Sequence, residues 1–184
     1  TQRLEFTGTF ASAVGQLSKK RIGALFALER ELHLKDHADT GVALDAEFSP
    51  ELALTIFHNK TALHDGGMIL AQGRIAAAGC VFPVSQKEMK DRTLGLRHRA
   101  AVGLTEETDA VAVIVSEETG AISVAINGEL ERNLSEEEFK ELIEGIFLPE
   151  QSHVEENVQE TLDSEDHSID PSDSDMVSDK DPHR

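Results

Sequence analysis

The chain of 184 residues contains no Trp and no Tyr, so its core is left to eight Phe and to aliphatic side chains. It holds one cysteine, Cys80, which excludes an internal disulfide and a cysteine-built metal cluster and suits a reducing cytoplasm. Cys80 sits in the apolar run from Ile75 to Phe82, where a buried, inert thiol is expected. No apolar run approaches the roughly 18 to 20 residues that cross a bilayer. Cations are scarce as well: 17 Lys and Arg against 35 Asp and Glu give a formal net charge of −18. Without a basic face to neutralise a phosphate backbone, no nucleic-acid partner is expected, and any bound anion needs a local cationic pocket. No signal-peptide pattern opens the chain at Thr1, which reads as a piece processed or cut from something longer, with room for membrane segments upstream.

The charge that is present is uneven. Residues 150–184 carry 12 acidic and 2 basic residues, whereas residues 1–149 carry 23 and 15. The first 149 residues are long enough for one domain with a substantial core. The tail buries too little to offset chain entropy and is expected to be mostly disordered. Val154, Val158 and Leu162 recur every four residues and allow a short helix there.

Helix and strand signals alternate through residues 1–149. The spacing of Phe10, Val14 and Leu17 predicts a helix over 10–20, and the run 22–28 reads as a strand. Ser49-Pro50-Glu51 is a helix start, with a capping hydroxyl followed by a proline where no backbone donor is needed. Strands are expected over 67–71 and 74–82 around a Gln72-Gly73 turn, and over 110–116 and 121–126. Asn127-Gly128 favours a tight turn into a strand over 129–133. Ser135 with Glu138 forms a capping box that opens a last helix, with Phe139, Leu142, Ile143 and Ile146 as its apolar face and Pro149 as its stop. The expected fold class is α/β (α+β): a single domain with a central mixed β-sheet flanked by helices.

Three polar clusters interrupt or end these apolar elements. In His64-Asp65-Gly66-Gly67, a carboxylate and an imidazole sit on a loop whose glycines let a ligand approach the backbone, although Asp-Gly also marks a simple turn. Arg97-His98-Arg99 concentrates cationic forks in an acidic chain, as a phosphate pocket does and as surface ion pairs also do. A helix following that tripeptide would add its N-terminal dipole. Ser116-Glu117-Glu118 ends a strand, where a hydroxyl can donate to phosphate and a carboxylate can hold a hard divalent ion; a solvated turn fits too.

In combination and in this order, the three clusters resemble the diadenylate cyclase (DAC) domain family. The flanking stretches Lys19-Lys20-Arg21-Ile22-Gly23-Ala24-Leu25, Thr40-Gly41, Leu44-Asp45-Ala46 and Asn127-Gly128-Glu129-Leu130 resemble its membrane-linked CdaA-type branch. The resemblance runs from about residue 12 to 147. It implies a mixed sheet flanked by helices and an enzyme, a nucleotidyltransferase that condenses two ATP into cyclic di-AMP and releases two pyrophosphates. Each domain would hold one ATP, so two domains would face each other as a dimer for catalysis.

Carried onto this sequence, the resemblance makes Asp65, Gly66, Arg97, His98 and Arg99 the catalytic set. Gly67, Leu96, Arg97, Ser116 and Glu117 would bind ATP. A divalent ion (Mn2+, Mg2+ or Co2+) would be held by His64, Asp65 and Glu118. It also implies a cytoplasmic domain of a protein anchored in the bacterial membrane through segments outside this chain, and regulatory protein partners. Two positions depart from the family pattern. Gly67 stands where the family has Ala, and the lost methyl is expected to loosen the loop modestly; Leu96 stands where it has Thr and removes a hydroxyl able to reach phosphate. The competing readings are a nucleotide-binding module that has lost catalysis and a purely structural domain.

Overall fold

The computed structural model describes residues 2–148, so the tail, the helix suggested by Val154, Val158 and Leu162, and the Pro149 stop lie outside the described residues. The elements run α1 (Gln2–Lys20), β1 (Ala24–Leu28), α2 (Lys35–Ala38), β2 (Val42–Glu47), α3 (Pro50–Phe57), β3 (Gly67–Ala71) and β4 (Arg74–Cys80). They continue with α4 (Leu96–Glu107), β5 (Val111–Val115), β6 (Ile122–Ile126), β7 (Glu129–Leu134) and α5 (Glu136–Phe147).

The seven strands form one mixed sheet in the order β2-β4-β3-β1-β5-β6-β7, with β1 and β3 parallel and the other neighbours antiparallel. Every residue of β1 and β5 is buried, as expected of central strands covered on both faces. Along β1, Ala24, Phe26 and Leu28 join the core under α1, α3 and α5, while Leu25 and Ala27 join the core under α4. This alternation is the two-residue period of a pleated strand. The edge strands β2 and β7 are mostly exposed, which fits their charged sequences.

Phenylalanine does the work that Trp and Tyr would share elsewhere. The Phe10 ring meets those of Phe6, Phe26, Phe48 and Phe139 with centroids 5.1–5.9 Å apart, joining α1 to the sheet and to α5. Phe6 also explains why α1 begins eight residues before the expected start, since its stacking on Phe10 and its edge-to-face contact with Phe48 anchor the extra turns.

Local chemistry accounts for the other boundaries. Ser49 caps α3 through Leu52 N–H, Pro50 takes its first position, and both halves of the Ser135/Glu138 box are formed. Gln72-Gly73 and Asn127-Gly128 have φ of 52°, 74°, 50° and 77°, the pair of left-handed residues that a two-residue hairpin turn of this hand requires. Strand β4 ends at Cys80 rather than Phe82. Val81 N–H leaves the sheet to donate to Thr40 Oγ1 at 2.8 Å, and Pro83 has no N–H to continue a ladder.

Candidate active site

All three polar clusters reach one end of the sheet. His64, Asp65 and Gly66 occupy the loop that enters β3, and Ser116, Glu117 and Glu118 follow β5. Because β1 and β5 are antiparallel, the end of β5 lies beside the start of β1, and Gly67 at the start of β3 pairs with Cys80 at the end of β4. The strand ends that converge here therefore point both ways, unlike the carboxyl edge of an all-parallel sheet.

A cavity of about 730 Å3 opens at this end, lined by His64, Asp65, Gly66, Leu96, Arg97, His98, Ser116, Glu117 and Glu118. Its back wall is apolar, formed by Leu25, Phe82, Ile114 and Val115. Two of the sequence-derived residues are not at its surface. Arg99 lines neither this cavity nor its neighbour, and Gly67 is buried behind the wall. Helix geometry explains Arg99. The Arg97-His98-Arg99 tripeptide does not precede a helix; it forms the first turn of α4, after an extended Gly95. Successive helical side chains point about 100° apart, so three in a row cannot share one face.

The loop carrying Asp65 is shaped by close backbone approach. Gly66 has φ 85°, and a Cβ there would stand 2.6 Å from the Cys80 carbonyl oxygen. Gly66 N–H donates to Asp65 Oδ1 at 3.0 Å, turning the exposed carboxylate over its own backbone. His64 Nδ1 lies 2.7 Å from the Thr61 carbonyl oxygen, which can only accept. This contact selects the neutral-ring tautomer with the proton on Nδ1, which is the one that presents the Nε2 lone pair. Ser116 Oγ accepts from Glu118 N–H at 3.3 Å and Thr119 N–H at 3.4 Å, so its own proton is free for a ligand.

Arg97 crosses the floor of the site. One Nη stands 3.8 Å from a Glu117 carboxylate oxygen, and its buried Nε has no partner among the described residues. Gly23 makes room for it, since a Cβ at that position would lie 2.7 Å from Nη1. His98 is half-buried, and its Nδ1 has no partner among the described residues; burial first, then Arg132 and Arg97, push its imidazole below the ordinary histidine value. The unfolded chain then binds this proton at higher pH than the folded one. His98 thus contributes stability above about pH 6.5 that is lost as pH falls through the folded-state value. His98→Gln is expected to flatten this part of the acid limb when urea midpoints of parent and variant are compared between about pH 5 and pH 7.5.

Cys80 is confirmed as buried, and burial pushes its thiol up to about 11. The lost methyl at Gly67 does not loosen the loop. A Cβ there would overlap the edge of the Phe82 ring, standing 2.6 Å from Cζ, so the ring of a cavity-wall residue already fills that space. We expect Gly67→Ala to cost about 1–3 kcal/mol, and Phe82→Leu combined with it to recover most of the loss. Urea unfolding of the two single variants, the double variant and the parent checks this coupling.

Among the described residues, no group of three or more His, Cys, Asp and Glu is arranged to hold a metal ion alone. His64, Asp65, Glu117 and Glu118 nevertheless share the cavity lining. The three carboxylates among them are oxygen donors that suit a hard cation taking one or two protein ligands and completing its shell with phosphate oxygens and water. Sequence reasoning did not single out Asn59, Val81, Phe82 or Thr93 in the lining. The one available signal was the apolar run that continues past the strand into Val81-Phe82-Pro83.

A mixed sheet with a cleft at one end, lined by one arginine, three carboxylates and an apolar back wall, defines the class: an α/β domain with a polar small-molecule cleft at the strand ends. A model of the DAC family, described as DisA bacterial checkpoint controller nucleotide-binding, matches residues 11–130. The chain is 48% identical over 135 residues to the cyclic di-AMP synthase CdaA of Bacillus subtilis, covering 73% of this chain and 50% of that protein. It is 42% identical over 127 residues to a diadenylate cyclase of Listeria monocytogenes, covering 69% and 46%. A crystal structure of a double mutant of DacA from Staphylococcus aureus superposes with a TM-score of 0.74 at 45% identity, covering 76% of this chain and 93% of that one. The chain belongs to the diadenylate cyclase domain family. That family implies a divalent metal requirement in general. The chain spans about half the length of these two curated relatives.

Proposed function

We propose that this domain condenses two ATP into cyclic di-AMP with release of two pyrophosphates. The observation that carries the reading is the convergence of His64-Asp65-Gly66, Arg97-His98 and Ser116-Glu117-Glu118 on one cavity with an apolar back wall. Such a wall suits a base, and the polar rim suits a polyphosphate.

In each of the two steps, a ribose 3′-oxygen bonds to the α-phosphorus of the other nucleotide. The bond from that phosphorus to the α–β bridging oxygen breaks, and pyrophosphate leaves with the electron pair. Asp65 Oδ2, which makes no hydrogen bond among the described residues, accepts the hydroxyl proton. Arg97 counters charge on the phosphates, and Ser116 donates its free hydroxyl proton to a phosphate oxygen. His98 and Arg99 support the turn that presents Arg97, and Gly66 keeps the loop close to the sheet.

One or two of His64, Asp65 and Glu118 would hold the cation, with phosphate oxygens and water completing its shell and Mn2+, Mg2+ and Co2+ as the candidates. When bound it supplies positive charge to the polyphosphate.

One cavity takes one ATP, so the reaction needs a second copy facing the first. The rim supports this pairing: Val81, Val84 and Leu96 border the cavity and are 67%, 41% and 70% exposed. Pairing would cover this apolar edge and orient both nucleotides. We keep residues 1–149 as the catalytic unit and 150–184 as an acidic tail.

No helix among the described residues is long and apolar enough to cross a membrane. A second similar structure, with a TM-score of 0.67 at 37% identity, covers 70% of this chain and 63% of its own; it is described as a hypothetical membrane spanning protein from Bacillus cereus. We infer that the full-length protein is membrane-linked, with this domain on the cytoplasmic side.

The test is chromatography and mass spectrometry of products after the purified chain is incubated with ATP and Mn2+. Cyclic di-AMP and pyrophosphate are expected. ATP binding without product, across Mn2+, Mg2+ and Co2+ and several protein concentrations, would instead favour the module that has lost catalysis. Leu96→Thr would then be the first restoration to make.

A further inference from the structure

The basic run Lys19-Lys20-Arg21 stands out in a chain of net charge −18, and the proposed chemistry does not use it. Lys19 is accounted for by Glu136 at 3.6 Å. Lys20 and Arg21 form no ion pair among the described residues. Both line a second cavity of about 1030 Å3. That cavity shares Asn59, His64, Arg97, Glu117 and Glu118 with the proposed nucleotide cleft, so the two spaces adjoin along the polar rim of the cleft.

Arg21 also sits where its backbone favours glycine. Its N–H donates to Ser18 O at 3.1 Å and Ile22 N–H donates to Leu17 O at 3.0 Å, the double closure that ends a helix with a left-handed residue. The φ of Arg21 is 52°. A glycine would hold this turn at lower conformational cost, so what arginine adds is its guanidinium at the cavity wall. The helix end is clamped to the loop carrying Ser116, Glu117 and Glu118, because Ser18 Oγ donates to Gly120 O at 2.6 Å. Lys20, Arg21 and Arg97 thus bring three cations to the lining of the cavity that adjoins the nucleotide cleft, beside Glu117 and Glu118.

The geometry points to this second cavity as a polyphosphate subsite and pyrophosphate exit, with Lys20 and Arg21 binding the terminal phosphates. The assignment rests on the ATP reading above. In that reading the leaving pyrophosphate must depart from the α-phosphorus on the side away from the facing copy, and this space adjoins the cleft. A purely structural alternative exists, since basic residues in a last helical turn complement the helix dipole.

The test compares the chain with a Lys20→Gln/Arg21→Gly double variant, in the presence of Mg2+. Calorimetry measures binding of 3′-deoxy-ATP (which cannot attack), AMP and inorganic pyrophosphate. The variant is expected to bind 3′-deoxy-ATP and pyrophosphate about ten-fold more weakly, with AMP changed by less than about two-fold. Retained AMP binding also shows that the variant is folded. Unchanged pyrophosphate and 3′-deoxy-ATP binding, or equal losses for all three ligands, overturns the subsite and leaves the ATP reading intact. Failure of the parent to bind either nucleotide overturns both. Arg21→Gly alone separates the structural alternative: a helix-end role predicts a raised melting temperature and unchanged pyrophosphate binding, whereas the subsite predicts weaker pyrophosphate binding.

Discussion

Asp65→Asn is expected to lower the rate of cyclic di-AMP formation by at least about 100-fold, the scale of a lost general base. The substitution is nearly silent for the fold. Asp65 is exposed, and its one hydrogen bond among the described residues, from Gly66 N–H to Oδ1 at 3.0 Å, can be accepted equally by an amide oxygen. What disappears is a negative oxygen able to take a proton or to hold a cation. Removing a negative charge beside a polyphosphate does not weaken its attraction to Arg97. Binding of 3′-deoxy-ATP in the absence of metal should therefore stay within a few-fold of the parent while the rate collapses. Initial rates by product chromatography, taken beside that binding measurement, decide the matter. A variant that cyclises ATP within about three-fold of the parent removes Asp65 from the chemistry.

The largest structural effect is expected at Gly103. In an isolated helix, Gly→Ala stabilises by about 1 kcal/mol, so propensity alone predicts a gain. Packing predicts the reverse. A Cβ on Gly103 would overlap the Pro83 carbonyl oxygen and stand 2.8 Å from Ser85 N. That segment cannot easily retreat. Ser85 N–H donates to Arg99 O at 3.0 Å, Ser85 Oγ bonds Glu106, and Lys87 N–H donates to Ser85 Oγ at 3.2 Å. Gly103→Ala should therefore cost about 3 kcal/mol and disturb nucleotide binding, since Phe82 and Val84 on the same segment line the cleft. Gly145 is the internal control. It lies in α5 with nothing within 4 Å of an added Cβ, so Gly145→Ala should follow propensity and stabilise by about 0.5–1 kcal/mol. Urea unfolding of both variants gives opposite signs if packing decides at Gly103. A stabilised Gly103→Ala would show that the 83–85 segment yields freely.

Gly67 shows how far a motif can be interpreted one residue at a time. Taken from the chain alone, the missing methyl reads as slack in a loop. Across the sheet, the Phe82 ring occupies that space, so the two positions form a single packing unit separated by fifteen residues. The Arg97-His98-Arg99 tripeptide carries a similar lesson. Three consecutive polar residues look like one cluster in a line of letters, but a helical turn sends them in different directions, and only Arg97 and His98 line the cleft.

Elements whose cause is local were legible in the sequence. The Ser49 and Ser135 caps, the Gln72-Gly73 and Asn127-Gly128 turns and the all-apolar central strands each depend on residues within a few positions of one another. The mixed-sheet class follows from alternating those elements, and the three polar clusters announce themselves by interrupting them. Where a boundary was misplaced, a distant partner had intervened: Phe48 lengthened α1, and Thr40 drew Val81 out of β4.

The sequence by itself therefore determined most of the helices and strands, though not α2, β2 or the first two turns of α1, and which polar residues stand ready for phosphate chemistry. Only the tertiary structure decided the strand order β2-β4-β3-β1-β5-β6-β7, which carries residues 64–66, 97–98 and 116–118 to one end of one sheet. It also decided that Arg99 falls outside the cleft and that Lys20 and Arg21 meet a second cavity beside it. The physical reason is range. Caps, turns and periodicity act within a few residues along the chain, whereas strand order and cavity walls are set by burying both faces of the sheet at once.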